Sequence, residues 1–172
     1  AVTGSVVTNP NIEGNWTNTG TFTAGSGSTL TMNGVNPQTM IGSTFNNLII
    51  DNPTTVTLNS VETITNNLSI TTGSKLNLST LTHNAGTLRL GGAGTASGSW
   101  GSSSSGATHQ NDTYFAVTSG SVTILNDLCE TPPTPVITGS ATVCTGATGS
   151  VYSVTNVVGH TYAWTVVGGS IT

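Results

Sequence analysis

Short stretches in which apolar and polar residues alternate cover most of the chain, and they predict β-strands. The clearest lie at residues 29–32, 47–50, 55–58, 75–78 and 87–90, where side chains alternate or nearly alternate in polarity. This is the pattern of a strand with one buried face. Turn-forming elements such as Thr72-Gly73-Ser74 separate the stretches. No stretch has apolar residues at helical spacing over three turns, so the pattern predicts an all-β fold.

One strand element recurs along the chain. Residues 45–50, Phe-Asn-Asn-Leu-Ile-Ile, are echoed by residues 64–70, so that Asn-Asn-Leu-x-Ile repeats after 20 residues. A shorter echo relates residues 75–78 to residues 87–90, after 12. A period of about 20 is typical of a β-solenoid, whose stacked coils bury one continuous apolar column. Asn at matching corners can then bond the coils above and below. The echo therefore favours a solenoid from about residue 12 to 125.

An antiparallel sandwich also explains short strands, since it places turn signals every 8–12 residues. Only the 20-residue echo favours the solenoid over this alternative. Within the same region, residues 91–106 are rich in Gly and Ser, a composition typical of flexible linkers. Strand-like segments follow at 113–117 and 121–125. We therefore predict a long loop inside the first domain.

Composition changes after residue 128. Prolines at 132, 133 and 135 fix the backbone and block sheet pairing, which predicts a linker at 129–135. Four more strand-like segments follow it, with Trp164 at the position of a core aromatic. We predict a solenoid-like domain at 1–128 and, at 136–172, the N-terminal half of an immunoglobulin-like sandwich that is cut short.

Charged residues are few, and this bounds the function. The chain has two basic residues, Lys75 and Arg89, six acidic residues and a net charge of −4, so 5% of it is charged; an ordinary soluble domain has about a quarter. Two cations cannot neutralise a run of phosphates, which argues against nucleic acid. No apolar run approaches the roughly 20 residues that span a bilayer. Regularly spaced apolar residues argue against disorder. No signal peptide is expected at Ala1, which fits a mature or excised segment.

Catalytic and metal chemistry have little support. The three histidines, His83, His109 and His160, are isolated from Cys and acidic clusters, and no Gly-x-Ser-x-Gly motif exists. His109 with Asp112 is the best candidate, but polar loop residues are the favoured interpretation. We expect no enzyme and no cofactor. The alternative is Ca²⁺ held by oxygens of Asp51-Asn52 or Asn111-Asp112, although the acid spacing of an EF-hand is absent.

Two kinds of ligand surface are conceivable. Trp16, Trp100 and Tyr114 could stack on sugar rings if exposed, although aromatic side chains are more often buried. Threonine pairs that flank one residue could form a flat, ice-binding array if they occupy equivalent coil positions; otherwise Thr is simply a good polar strand former. These pairs are Thr21/Thr23, Thr29/Thr31, Thr55/Thr57, Thr63/Thr65 and Thr80/Thr82.

Two cysteines, Cys129 and Cys144, lie 15 residues apart. They could form a disulfide with each other, or each could pair with a partner outside this chain.

The C-terminal segment resembles a known family. The residues that carry the resemblance are Pro135-Val136-Ile137-Thr138-Gly139, Val143-Cys144-Thr145-Gly146 and His160-Thr161-Tyr162-Ala163-Trp164. They look like the start of a PKD-like domain, which occurs in tandem in large secreted proteins of the Bacteroidetes. The resemblance implies that Cys144 pairs with a cysteine near the end of that domain.

Residues 14–125 are similar to the repeat-rich region that often precedes such domains. The likeness rests on residues 16–22, 39–42 and 45–50, and on Gly98-Ser99-Trp100-Gly101 followed by residues 109–115. The two likenesses together imply a long surface adhesin, related to gliding-motility adhesins and exported by the type IX route.

We therefore expect a structural or adhesive module of a long extracellular or cell-surface bacterial protein. It would act as a stalk or attach to surfaces or glycans. The alternatives are an ice-binding or carbohydrate-binding solenoid and a subunit of an extracellular filament. The expected partners are neighbouring domains, copies of the same protein and surface glycans, with no nucleic acid and no membrane span.

Overall fold

The computed structural model describes residues 9–20, 22, 24–128, 136–155, 163–165 and 167. The chain separates into two compact units, residues 1–129 and 130–172. The described residues form strands, turns and loops but no helix, so none of them provides a helix that could cross a bilayer. The all-β prediction is confirmed.

The described part of the first unit contains thirteen strands. In chain order they are β1 (Asn11–Ile12), β2 (Trp16–Thr17), β3 (Thr29–Met32), β4 (Gln38–Ile41), β5 (Thr44–Ile50), β6 (Val56–Leu58), β7 (Thr63–Ile70), β8 (Leu76–Asn77), β9 (Thr82–Leu90), β10 (Ala93–Gly94), β11 (Gly98–Gly101), β12 (His109–Gln110) and β13 (Ser121–Ile124).

Successive coils place one strand in each of two parallel sheets. The long-strand sheet has the order β1-β3-β5-β7-β9-β13, and the short-strand sheet has the order β2-β4-β6-β8. All of these neighbours pair in parallel. Parallel pairing of every second strand is the topology of a solenoid, here of about four turns. The predicted solenoid is therefore confirmed, and the antiparallel sandwich is wrong for this region.

The core consists of side chains stacked in register. Leu30, Leu48, Leu68 and Leu88 pair in four successive strands and are 0–4% exposed. The 20-residue echo is the repeat of one coil, since Leu48 lies opposite Leu68. The 12-residue echo is not a coil repeat, because residues 76–77 lie in the short-strand sheet and residues 87–90 in the other.

The long-strand sheet bends at a row of asparagines. The register shifts between Phe45 and Asn47 and again in the next pair of strands, which is the signature of a β-bulge. At this corner Asn66 donates to Asn47 (2.7 Å) and Thr87 donates to Asn67 (3.0 Å). The predicted bonding between asparagines of neighbouring coils is confirmed, and it stabilises the bend.

Residues 91–120 form an insertion between β9 and β13, two neighbouring strands of the long-strand sheet. The prediction of a long loop is wrong in part, because β11 pairs antiparallel with β13, and β12 extends the sheet beyond β11. Phe115 also forms a bridge with Leu76 at the end of the short-strand sheet. A sheet edge is full of unpaired backbone groups, and satisfying them at β13 gives this Gly/Ser-rich segment its strand structure.

The described part of the second unit contains two strands, β14 (Ile137–Thr138) and β15 (Ser153–Val154), which pair antiparallel. The strand predicted at 141–144 is not formed. Trp164 is not the predicted core aromatic, because it is 42% exposed; the described residues of this unit bury no apolar side chain that could surround it. The predicted linker at 129–135 lies outside the described residues and stays a prediction.

Candidate functional site

Trp16, a predicted ligand-stacking residue, belongs to an aromatic cluster in the first coil. Its ring meets Phe22 edge-on at 5.2 Å and Phe45 at 5.7 Å. The indole Nε1–H donates to the Ser43 hydroxyl oxygen at 3.1 Å. Trp16 is partly buried against the core, so most of its ring is used in packing.

Trp100 and Tyr114 lie in the insertion, far along the chain from the first coil. Trp100 lies opposite Val122 and stacks on His109 with 4.6 Å between ring centroids. Both Trp100 and Tyr114 pack against the core. The structure therefore does not gather the three aromatic residues into one site, and a stacking role stays a prediction for each.

The predicted His109–Asp112 pair has structural contacts instead. His109 stacks on Trp100, and Asp112 accepts a hydrogen bond from the Ser103 backbone N–H at 2.7 Å. That bond lowers the pKa of Asp112. It fixes the loop, and no hydrogen bond joins His109 to Asp112 in the described structure.

The residue pairs considered for Ca²⁺ already have structural partners. Asn52 is buried, and its side-chain oxygen already accepts from the Thr54 backbone N–H (2.7 Å) and the Thr54 hydroxyl (2.6 Å), whereas Asp51 is exposed. Asn111 accepts from the Thr113 backbone N–H. Ca²⁺ usually takes six or more oxygens, several of them from carboxylates, and neither pair belongs to a group of three or more acidic, His or Cys side chains in the described part of the chain.

The threonine pairs do not form the array that ice binding would require. Thr29 and Thr31 are followed on the next coil by Asn47 and Ile49. Thr57 lies in the short-strand sheet. No two of the described pairs therefore stack on each other, and Thr21 and Thr23 lie outside the described residues.

Cys144 is exposed and forms no disulfide with another described residue. Its predicted partner Cys129 lies outside the described residues, so their pairing stays a prediction.

Two buried ionisable residues that the sequence did not single out hold the corner between the two sheets. The Glu62 carboxylate accepts from the backbone N–H of Gly42 (2.9 Å) and Ser43 (2.8 Å), and from the Ser60 hydroxyl (2.6 Å). Burial raises the pKa of Glu62, against the opposing effect of these bonds. Glu62 thus ties one coil to the coil before it.

His83 continues this arrangement on the next coil. Its Nδ1 accepts from the Glu62 backbone N–H at 3.1 Å, which leaves Nε2–H to donate to the Leu78 carbonyl at 3.2 Å. Burial lowers the pKa of His83. The ring is therefore held neutral, as a structural link between coils.

A shallow groove lies beside this corner. It is lined by Asn18, Thr19, Gly20, Phe22, Gly42, Ser43, Thr44, Val61 and Thr63. The chain passes close here, since a Cβ at Gly42 would lie 2.5 Å from the Asn18 carbonyl oxygen, and Gly42 has φ +67°. Only glycine combines that approach with a left-handed conformation at low cost.

A row of outward-facing polar residues runs from the groove across the long-strand sheet. Thr44, Thr63, Asn84 and Thr123 are in register on four successive strands, and we name them the Thr44 row. None of the four side chains makes a hydrogen bond in the described structure. The intervals between them are 19, 21 and 39 residues, so no sequence period could have revealed the row.

Comparison with protein families matches residues 130–172 to the PKD-like domain. Comparison with curated proteins and with solved structures finds no match. The family match covers the second unit and confirms the PKD-like prediction for it. A β-solenoid together with a PKD-like domain fits a structural or adhesive module.

Proposed function

We propose that the chain is a stalk and attachment module of a long secreted or cell-surface bacterial protein and carries no enzymatic activity. The observation that carries the proposal is the combination of a solenoid, with its apolar core in register, and a PKD-like domain in the same chain. Solenoids extend by adding coils that contact only their neighbours. This makes them suitable as spacers that present a lateral surface.

Ionisable side chains in the solenoid support a structural role over a catalytic one. Glu62 and His83 are buried and bonded to backbone groups of adjacent corners. Asp112 and Asp127 each accept from a backbone N–H of the insertion, those of Ser103 and Ser97. These four groups are thus already used to hold coils and loops, which supports the structural role.

The proposal extends to location and partners. The low charge, the PKD-like match and the resemblance to gliding-motility adhesins of the Bacteroidetes favour an extracellular protein exported by the type IX route. Its partners would be neighbouring domains, copies of the same protein and surface glycans. Uncharged hydroxyl and amide side chains on the outer faces of the coils suit contacts of this kind.

An attachment assay under flow tests the proposal. Beads carrying the 172-residue chain are compared with beads carrying an unrelated β-protein of similar size, on glycan-coated and on bare surfaces. We expect the chain to retain beads at shear that removes the control beads. Equal detachment on every surface would contradict an adhesive role.

A second candidate is a filament subunit, which the apolar surface of the C-terminal unit favours. Val136 and Val151 are 78% and 81% exposed, and Val143 and Trp164 are also exposed. A second copy of the chain could cover apolar side chains that this unit leaves exposed. Sedimentation across a concentration series tests this candidate: self-association supports it, and a strict monomer rules it out.

A further inference from the structure

We propose that the Thr44 row and the groove beside it bind an extended, uncharged polysaccharide. The inference rests on the proposed adhesive function and names the ligand class and the surface that would carry it.

The first argument is the unused hydrogen-bonding capacity of the Thr44 row. Asparagines at the neighbouring corner bond one another across coils, as Asn66 does with Asn47. The four side chains of the Thr44 row make no such bonds. Adjacent parallel strands lie about 4.8 Å apart, so the row presents polar groups over roughly 14 Å along the solenoid axis. A polymer of hexose units offers hydroxyl groups at a comparable repeat.

Charge selects the chemical class of the ligand. No charged side chain lines the groove. The Glu62 carboxylate lies behind Gly42 and Ser43 with its oxygens occupied by their N–H groups and by Ser60. A bound cation or anion would therefore find no counter-charge. Hydroxyl groups both donate and accept, which suits a neutral, hydroxyl-rich ligand.

The groove adds an apolar patch at one end of the row. Phe22 and Val61 line it, and Val61 is 56% exposed. Sugar rings present apolar C–H faces between their hydroxyl groups, so a binding site needs apolar surface next to polar groups. The combination occurs here at the start of the Thr44 row.

The walls of the groove are already fixed without a ligand. The Ser43 hydroxyl oxygen accepts from the Trp16 indole (3.1 Å) and from the Asn18 amide (3.2 Å). Glu62 holds the backbone of the same turn. A preorganised wall lowers the entropic cost of binding, which favours recognition of a weakly bonding neutral ligand.

Titration of the full chain with soluble oligosaccharides tests the inference. The probes are cellohexaose, xylohexaose and mannohexaose, with an oligogalacturonate of equal length as the charged control, measured by calorimetry and by NMR. We expect at least one neutral probe to bind and the charged probe not to bind. NMR shifts should concentrate at Thr44, Thr63, Asn84 and Thr123.

A pair of matched double variants locates the site. Thr44→Val with Thr63→Val removes two hydroxyls from the row and should weaken binding by about tenfold or more. Thr39→Val with Thr57→Val removes two hydroxyls that are also in register, on the short-strand sheet away from the groove, and should leave affinity unchanged. Valine is a good strand former, and circular dichroism checks that both variants fold.

Several results would overturn the inference. These are no neutral probe bound at millimolar concentration, equal binding of the charged probe, or equal loss in the Thr39/Thr57 variant. Shifts that cluster away from the Thr44 row would also overturn it, and this readout on the unmodified chain does not depend on how the variants fold. Bead attachment that survives in the Thr44/Thr63 variant would reject this site while leaving the proposed adhesive function intact.

Discussion

The solenoid and the C-terminal unit use similar residues and bury them very differently. Both regions contain short segments rich in Val, Ile and Thr between glycine-containing turns. In the solenoid, Leu48 and Leu68 are at most 1% exposed, whereas Val136 and Val151 in the C-terminal unit are 78% and 81% exposed. Alternation is enough to make strands, but burial also requires neighbours that present apolar residues in the same register.

The two regions differ in burial because they differ in the neighbouring strands that each strand has. Each solenoid coil stacks on the coil before it, and the insertion at residues 91–120 covers β13 with an antiparallel strand. The described C-terminal unit has one ladder, in which Ile137 pairs with Val154 and Thr138 with Ser153. Two-stranded ribbons are marginal on their own. Stability in this chain should therefore reside in the solenoid, and four predictions test that.

The largest contrast is expected from truncation of buried and exposed apolar side chains. Leu68→Ala empties a fully buried position in the middle of the leucine column and should lower the free energy of unfolding by about 2–5 kcal/mol. Val151→Ala, the control, should change it by less than about 0.5 kcal/mol. Urea denaturation followed by circular dichroism measures both. Equal costs would contradict the assignment of stability to the solenoid.

Glycine substitution should separate the two regions in the same way. A Cβ at Gly86 would lie 2.4 Å from the Asn66 carbonyl oxygen, a backbone atom at the bulge. Gly86→Ala should therefore cost about 1–3 kcal/mol. The atoms nearest to a Cβ at Gly139 belong to the exposed ring of Tyr152, a side chain and not backbone, so Gly139→Ala should cost less. Thermal melting of both alanine variants compares them, and a melting temperature unchanged by Gly86→Ala would refute a closely packed corner.

Acid should weaken the solenoid through His83. Burial lowers the pKa of this ring from 6.5, so between its folded pKa and 6.5 the unfolded chain binds a proton that the folded chain does not. The free energy of unfolding must then fall as the pH drops below 6.5. Urea midpoints from about pH 8 to about pH 5 should show this fall in the native chain and a smaller one in His83→Gln.

Glu62 changes the free energy of unfolding with pH in the opposite direction to His83, which gives that experiment an internal control. Burial raises the pKa of Glu62 from 4.5. Between pH 4.5 and this raised pKa, the folded chain keeps a proton that the unfolded chain has lost. The free energy of unfolding therefore falls as the pH rises through this range. His83→Gln leaves this contribution in place. Residues 131–172 contain no Asp, Glu, Lys or Arg, so this part of the chain adds no carboxylate side chain to the pH profile. An unaltered pH profile in His83→Gln would exclude His83 as the acid-sensitive group.

The smallest contrast concerns single hydrogen bonds. Asn66→Ala removes the bond to Asn47 at the corner and should cost about 0.5–1.5 kcal/mol. Tyr152→Phe removes an exposed bond from the Tyr152 hydroxyl to the Ser140 carbonyl, and water replaces it at little cost. Chemical denaturation of both variants measures the difference. An Asn66→Ala variant as stable as the native chain would mean that the asparagine bonds do not stabilise the bend.

Much of the fold was predictable because it depends on local pattern and on one exact repeat. The alternation of residues 29–32 and 87–90 predicted strands, and the Asn-Asn-Leu-x-Ile echo predicted the coil, since equal spacing places Leu48 against Leu68. The candidate site was not predictable in the same way. Thr63 and Asn84 become neighbours only because the bulge changes the register between coils, and sequence spacing does not encode where a bulge falls.

The burial and the contacts of single side chains also could not be predicted from the sequence pattern. Glu62 and His83 are polar and would be expected at the surface, yet both are fully buried, because backbone N–H and carbonyl groups of the corners satisfy them. Trp16 was a candidate for stacking on sugars, and the sequence did not show that its ring also packs on Phe22 and Phe45. A single residue type does not reveal which partners the fold will bring to it.

By itself, then, the sequence determined the strands, the coil length and the low charge, since these follow from alternation, one repeat and composition. Only the tertiary structure decided which polar side chains form hydrogen bonds within the protein and which do not. The asparagines of the corner face one another and are bonded, whereas the Thr44 row faces away from any partner. The physical reason is that a hydrogen bond depends on distance and direction, and stacking the coils sets both.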